Sequence, residues 1–224
     1  MTVERRYERG LPLIDEAAQK QLSTRCVLIV GCGGLGGYLI ESMARLGVGE
    51  LRCADGDVFD ETNLNRQLLC TEENIGKSKA LAAAERVKAV NSAVTVRAFA
   101  ENLTAENADR LTEGCDLVLD ALDSIPARLL LEDVCARKGL TLVHGAICGT
   151  AAQVAVCPPG RGLLHTLYAA GGDGSKCSLP FTPPLCAAVQ AAEATKLLLG
   201  KPSPLEGRLL AAELRDMSFN VLSF

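Results

Sequence analysis

The residues best placed to do chemistry recur in a fixed order along this chain. Gly31-Cys-Gly-Gly-Leu-Gly-Gly37 carries the spacing G-x-G-x-x-G directly after the apolar run Cys26–Val30. In such a loop Gly31 permits a tight turn, Gly33 lets backbone N–H groups approach a phosphate, and Gly36 allows helix to pack on strand. The amino end of the following helix adds partial positive charge for an anion. Asp55 ends the next apolar run, where an acidic group reaches ribose hydroxyls. To this point a dinucleotide-binding dehydrogenase fits as well as any other nucleotide enzyme.

The polar run Asp55–Gln67 separates the two. It contains Asp57, Asn63, Arg66 and Gln67, and Lys79 and Asp123 follow later in the chain. Strand ends in a parallel sheet line one crevice, so Asp55, Asp57 and Asp123 converge there with Arg66 and Lys79 nearby. Cations and paired acids around a phosphate loop suit a triphosphate with Mg²⁺, an ion that takes one or two carboxylates plus phosphate oxygens. A nicotinamide site would also need a general acid. The 2 histidines, His144 and His165, lie in no recognisable catalytic setting, and His144 within an apolar strand reads as a satisfied core residue.

The elements that must hold these groups alternate between strand and helix, which predicts an α/β fold: a Rossmann-like, mostly parallel sheet flanked by helices. Strands are expected at Cys26–Val30, Glu50–Ala54, Val94–Ala98, Asp116–Leu119, Leu140–Gly145 and Gln153–Cys157. Helices are expected at 11–22, Leu35–Leu46, Lys77–Val90, Thr104–Leu111, from the cap Ser124 through Lys138, and Leu185–Leu199. Residues 158–184 hold five of the 9 prolines and five of the 21 glycines and read as a long loop. Arg208–Phe224 predicts a terminal β-hairpin, a mixed-sheet extension.

The 224 residues, 48% hydrophobic and 22% charged, suffice for one domain with a buried core. The formal charge of −4 argues against a general nucleic-acid binder. No run is long and apolar enough for a membrane span, and the polar start reads as no signal peptide, so a cytoplasmic protein is expected. The 10 cysteines form no C-x-x-C pair. Cys26, Cys53, Cys148 and Cys157 sit in apolar runs and read as small buried hydrophobes, and Cys186 as a packed helix residue.

In combination, Arg6-Tyr-Glu-Arg9, the Gly31–Gly37 loop, Asn63-Leu-Asn-Arg-Gln67, Lys79, Asp123 and Gln190-Ala-Ala-Glu-Ala-Thr-Lys196 resemble the ubiquitin-activating-enzyme superfamily. The likeness is to its bacterial ThiF-, MoeB- and HesA-type sulfur-carrier adenylyltransferases. It implies a single adenylyltransferase domain over 1–224: a helical arm (1–24), a nucleotide-binding core (25–157), a crossover loop (158–184), and a helix with the hairpin (185–224). It implies ATP-dependent adenylylation of the Gly-Gly carboxylate of a ubiquitin-like carrier. It also implies that Gly31, Gly33, Gly34 and Gly36 cradle the nucleotide. Asp55 binds the ribose with Asp57 beside it. Asn63, Arg66 and Gln67 approach the phosphates, Lys79 contacts them, and Asp123 holds Mg²⁺. Arg9 matches an arginine that crosses a homodimer interface.

Related enzymes that activate a modified adenosine in tRNA share the fold, and a NAD-dependent oxidoreductase is the third alternative. Many relatives bind zinc through two C-x-x-C pairs. One of those places reads Leu164-His-Thr-Leu167 here, so no zinc is expected. Ser124 stands where many relatives have asparagine. Cys177 lies near a cysteine that some relatives use in sulfur transfer, with Lys176 beside it as a stabiliser of the thiolate; an incidental loop thiol is the plainer reading. Arg128 is read either as facing the site or as a helix-surface residue.

Overall fold

The structure, a computed structural model, describes residues 4–171 and 177–224. Its central strand, β1 (Cys26–Val30), is buried along its whole length. A strand covered on both faces needs an unbroken apolar run, and Cys-Val-Leu-Ile-Val supplies one. On one side β1 pairs in parallel with β2 (Glu50–Ala54), which pairs with β3 (Thr95–Phe99). On the other it pairs in parallel with β4 (Leu117–Asp120), followed by β5 (Leu142–Cys148). The sheet order therefore reverses between β1 and β4, and a crevice opens beyond their carboxyl ends. Past β5 the pairing becomes antiparallel through β6 (Ala151–Cys157), β7 (Arg208–Glu213) and β8 (Ser218–Ser223). The eight strands lie in the order β3-β2-β1-β4-β5-β6-β7-β8, which is the expected parallel sheet with its mixed extension and terminal hairpin.

The helices are α1 (Glu16–Leu22), α2 (Gly34–Leu46), α3 (Lys79–Val90), α4 (Ala108–Thr112), α5 (Ile125–Lys138), α6 (Leu163–Leu167) and α7 (Thr182–Leu198). Helices α2, α3 and α7 pack together on one face, and α4, α5 and α6 on the other, so the sheet separates two apolar cores. Leu39, Ile40 and Met43 of α2 are fully buried in the first. Each such side chain stabilises the fold by roughly 1.5–3 kcal/mol. No helix among the described residues is long and apolar enough to cross a membrane.

Several boundaries depart from the sequence reading, each for a local reason. The first helix starts at Glu16 rather than residue 11, because the Asp15 carboxylate accepts the Ala18 amide and caps it there. The amides of Leu13 and Ile14 turn back to the Gly10 carbonyl instead. Ser78 likewise caps α3, moving its start from Lys77 to Lys79. Thr104 and Asn107 exchange side-chain to backbone hydrogen bonds and use up the turn read as the start of α4. Strand β3 lies one residue later than expected, at Thr95–Phe99, while β5 reaches Cys148 and β6 begins at Ala151.

The long loop at 158–184 is broken by α6, and α7 starts inside it at Thr182, with proline in its first turn, where no N–H is needed. The amides of Leu164 and His165 at the start of α6 donate to the two oxygens of Glu132 on α5, at 2.8 and 3.1 Å. That cap comes from 32 residues away and leaves no local periodic signal.

Helix α7 is tied to the sheet by Gln190, whose Nε2 donates to the carbonyls of Asp120 and Val143. A Cβ at Gly145 would come within 2.2 Å of that amide. Close by, at the carboxyl end of β1, a Cβ on Gly36 would fall 1.8 Å from the Gly31 carbonyl oxygen. Gly36→Ala should therefore destabilise the fold by about 1–3 kcal/mol, through a forced separation of loop and helix. A lowered urea midpoint checks this; an unchanged midpoint contradicts it.

Candidate active site

The loop after β1 is shaped by close backbone approaches. Gly31 has φ +96°, and a Cβ there would meet the Ala121 carbonyl oxygen at 2.5 Å. The Gly31 amide bonds to the Ala54 carbonyl at 2.8 Å, so the loop bridges the ends of β2 and β4. Gly33 precedes the first residue of α2, and a Cβ on it would lie 3.5 Å from the Gln67 side-chain amide. One on Gly34 would lie 3.7 Å from Pro183 and 3.9 Å from Arg66. The amino end of α2 thus opens into a cavity of about 230 Å³ at the reversal of strand order.

Asp55 is held by two backbone amides. Its Oδ2 accepts from Cys32 at 2.7 Å and its Oδ1 from Asp57 at 2.8 Å. Burial pushes its pKa above the usual aspartate value, against the opposing pull of those amides and of Lys79. Lys79 is buried, and its Nζ stands 3.0 Å from Oδ2 of Asp57, an exposed partner. The Arg66 guanidinium donates to the Thr62 carbonyl and to Asn65 Oδ1, both at 2.9 Å. Gln67 is buried, and its Oε1 has no hydrogen-bond partner among the described residues. Asp123 reaches the cavity because Asp120 Oδ1 accepts the Leu122 amide at 2.9 Å and turns the chain after β4.

The cavity wall thus includes Gly31, Gly33, Gly34, Asp55, Asp57, Arg66, Gln67, Lys79 and Asp123. Gly36 stays behind it as a packing residue. Asn63 is buried in the turn itself, where its Oδ1 accepts the Asp60 amide at 3.2 Å. Arg9 is exposed and does not line this cavity. The preceding residues explain its placement: Arg6 and Tyr7 dock on Asn91 and fix the arm. Cys177 borders this cavity, whereas Lys176 lies outside the described residues. Ser124 occupies the N-cap position of α5, without a side-chain cap bond.

One group turns out differently from the sequence reading, and one of two open readings is decided. Cys148 is exposed, not a buried hydrophobe, because β5 runs on past the core to the Gly149 turn. Cys26, Cys53, Cys157 and Cys186 are buried as expected, and burial pushes the Cys186 thiol up to about 12. Arg128 is buried rather than on the helix surface, and it lines the cavity. Three cations (Arg66, Lys79, Arg128) then face four carboxylates (Asp55, Asp57, Asp123, Glu101) among the described lining residues. A bare triphosphate would meet no net positive charge, whereas a triphosphate carrying a divalent cation fits this donor set.

A second cavity, of about 570 Å³, adjoins the first, and Asp123, Arg128 and Ile147 line both. Its floor holds Gln153 and Tyr168. These residues, with Asp120 and His144, form a buried polar cluster that motif reading missed. The available signal was the presence of Asp120 and His144 in apolar strands, since buried titratable groups demand partners.

Residues 5–224 match the ThiF family. The chain belongs to that family. Among the relatives of this ThiF-family chain is the SAMP-activating enzyme E1 of Haloferax volcanii, 35% identical over 229 residues, covering 98% of this chain and 84% of the relative. The sulfur carrier protein adenylyltransferase of Thermus thermophilus is 36% identical over 240 residues, covering 97% and 86%. Among solved structures, E. coli MccB with ATP superposes with a TM-score of 0.86 at 20% identity, covering 99% of this ThiF-family chain and 72% of that one, a likeness of fold.

The raised pKa of Asp55 has a testable sign. Its charged form is the better acceptor for ribose hydroxyls, so adenosine affinity should fall as pH drops through a value above that of an ordinary aspartate. The same shift makes Asp55 favour the fold when protonated, and that contribution is lost as pH rises through the same value. Asp55→Asn should remove the pH dependence and weaken adenosine binding roughly tenfold or more at neutral pH, the scale of a charge-assisted hydrogen bond. Titration calorimetry from acidic to neutral pH checks both, and an Asn variant that keeps the wild-type profile contradicts the assignment.

Proposed function

We propose that this chain uses ATP to adenylylate the C-terminal Gly-Gly carboxylate of a small ubiquitin-like sulfur-carrier protein. The observation that carries this reading is the pair of adjoining cavities. One is built on a phosphate loop, the other is open to a second reactant, and they share Asp123 and Arg128 at their boundary. Membership of the ThiF family supports it, as do the names of the Haloferax and Thermus relatives.

In this reaction a carboxylate oxygen attacks the α-phosphorus of ATP. The bond from that phosphorus to the bridging oxygen breaks, and pyrophosphate leaves with the electron pair. No protein nucleophile is required, so the residues act by orientation and charge. Asp55 orients the ribose from its two amide anchors. The α2 amino end and Lys79 face the phosphates, and Lys79 exchanges part of its contact with Asp57 for a phosphate oxygen. Arg66 and Gln67 hold the outer phosphates, with the unpartnered Gln67 acceptor turned to the loop. Asp123 would hold Mg²⁺, which when bound supplies positive charge to the triphosphate oxygens. The small side chains of the alanines at 151, 152, 211 and 212 leave room in the second cavity for an extended glycine tail. Arg9, exposed on the docked arm, would complete the site of a second copy in a homodimer.

ATP–pyrophosphate exchange tests the reading. Exchange should depend on a Gly-Gly-ending ubiquitin-like protein and be lost in Asp123→Ala. Exchange that depends on tRNA instead would overturn it. The shared site has its own test. Arg9→Ala and Asp123→Ala, each inactive alone, should regain about one quarter of wild-type exchange when refolded together as an equal mixture, since half the dimers then hold one intact site. No recovery would overturn the assignment of Arg9 to the site of a second copy.

A further inference from the structure

Beneath the boundary of the two cavities lies a buried cluster to which the chemistry above gives no part. Asp120 and His144 are fully buried neighbours on β4 and β5, and Oδ2 of one stands 2.6 Å from Nδ1 of the other. His144 Nε2 lies 3.1 Å from the Tyr168 hydroxyl and 3.2 Å from Gln153 Nε2. The Tyr168 oxygen also accepts from Gln153 Nε2 at 2.7 Å and from Arg128 Nη1 at 3.0 Å. One proton arrangement fits these contacts except that of Gln153 Nε2 with His144 Nε2, whose single lone pair takes the Tyr168 proton. Two N–H groups point at the phenolic oxygen, so its own proton goes to His144 Nε2, and the imidazole proton sits on Nδ1 and is donated to Asp120.

No atom of Asp120 or His144 is accessible, so neither can touch a reactant. The cluster presents Gln153 and Tyr168 to the second cavity and Arg128 to both. Arg128 Nη1 is fixed on Tyr168 and its Nη2 on the Leu122 carbonyl at 2.6 Å. The guanidinium carbon lies 5.6 Å from the centroid of the Tyr168 ring. Nε stands 3.7 Å from Asp120 Oδ2 and makes no hydrogen bond among the described residues. Arg66 and Lys79 line the nucleotide cavity alone. Among the described residues, Arg128 is the cation that also lines the second cavity, which holds the carboxylates of Asp123 and Glu213. An anionic acceptor entering past those two acids needs a compensating cation at the point where it meets the nucleotide. An apolar cluster of the same volume would serve stability at least as well as this buried charge pair. It would not fix the direction of a long, flexible guanidinium.

We propose that Asp120, His144 and Tyr168 are positioning residues that hold Arg128 at the boundary of the two cavities, where it binds the incoming acceptor carboxylate. The assignment rests on the adenylylation reading. The planar fork of arginine suits a carboxylate, and a small misplacement of such a group weakens productive binding strongly.

The test is steady-state ATP–pyrophosphate exchange with the full chain and a ubiquitin-like protein from the same genome that ends in Gly-Gly. Tyr168→Phe removes one hydroxyl and keeps the ring. It should raise the KM for the acceptor about tenfold and leave the KM for ATP within about twofold, the size of one misplaced orienting contact. Arg128→Lys keeps the charge and the buried cluster and should raise the same KM. The double variant should be no worse than Arg128→Lys alone, because the hydroxyl acts through the guanidinium. An unchanged far-ultraviolet circular dichroism spectrum and melting transition show that each variant is folded. An unchanged acceptor KM in Arg128→Lys overturns the proposal even if Tyr168→Phe fails to fold. Equal rises in both KM values, or independent effects in the double variant, overturn it too. A wild-type chain without carrier-dependent exchange defeats the adenylylation reading itself, and this assignment with it.

Discussion

The Ala121 carbonyl occupies the space that a side chain on Gly31 would take, and the Gly31 carbonyl occupies the space of a side chain on Gly36. Two backbone contacts with no room for a methyl group therefore join three elements: the end of β4, the loop after β1, and the first turn of α2. The consequences spread outward. The loop can face its amides into the crevice because it is pressed against β4. The chain leaving β4 must turn at once, and the Asp120 carboxylate makes that turn by accepting the Leu122 amide. The same turn delivers Asp123 to the first cavity and the Leu122 carbonyl to Arg128. Both cavities are thus set by one close crossing.

The site's electrostatics follow from how each charge is tethered. Asp55 is half-buried and satisfied by two amides, which keeps it useful as an acceptor despite the cost of partial burial. Lys79 is buried with a partner, Asp57, that is itself exposed, so the pair can open toward a phosphate without leaving a buried carboxylate behind. Asp120 and Arg128 are the opposite case. Both are buried, and each is tied to several neighbours in one network with His144 and Tyr168, a device for orientation more than for net attraction. A cavity whose described carboxylates outnumber its cations is suited to a nucleotide that arrives with its own divalent charge.

Much of this was legible along the chain. The run Cys-Val-Leu-Ile-Val followed by spaced glycines identified β1 and its loop, because a doubly covered strand and a phosphate turn each demand particular residue types at adjacent positions. Lys79, Asp55, Asp57 and Asp123 could be placed at one crevice because parallel strands end on one side. Arg128 and His144 could not be assigned in the same way. A helix arginine and a strand histidine have the same local pattern whether they are linked or merely buried, and their partners come from other elements. The cap on α6 was hidden for the same reason, since Glu132 satisfies amides that lie 32 and 33 residues further on. Cys148 was misplaced because its apolar neighbours said nothing of where β5 leaves the core.

The sequence alone determined the strands and all helices but α6, the glycine loop after β1, most of the acids and cations of the crevice, and the likeness to the ThiF family. Those features are local in the chain: period, turn chemistry and motif spacing. The tertiary structure decided which buried groups meet. It joined Asp120 to His144 through strand register, and His144 to Tyr168 and Arg128 through the packing of α5 against the segment after α6. It also set the second cavity beside the first, between β6, β7 and the start of α5. Hydrogen bonds and cavities of this kind depend on distances between elements far apart in the chain, and no local pattern encodes those distances.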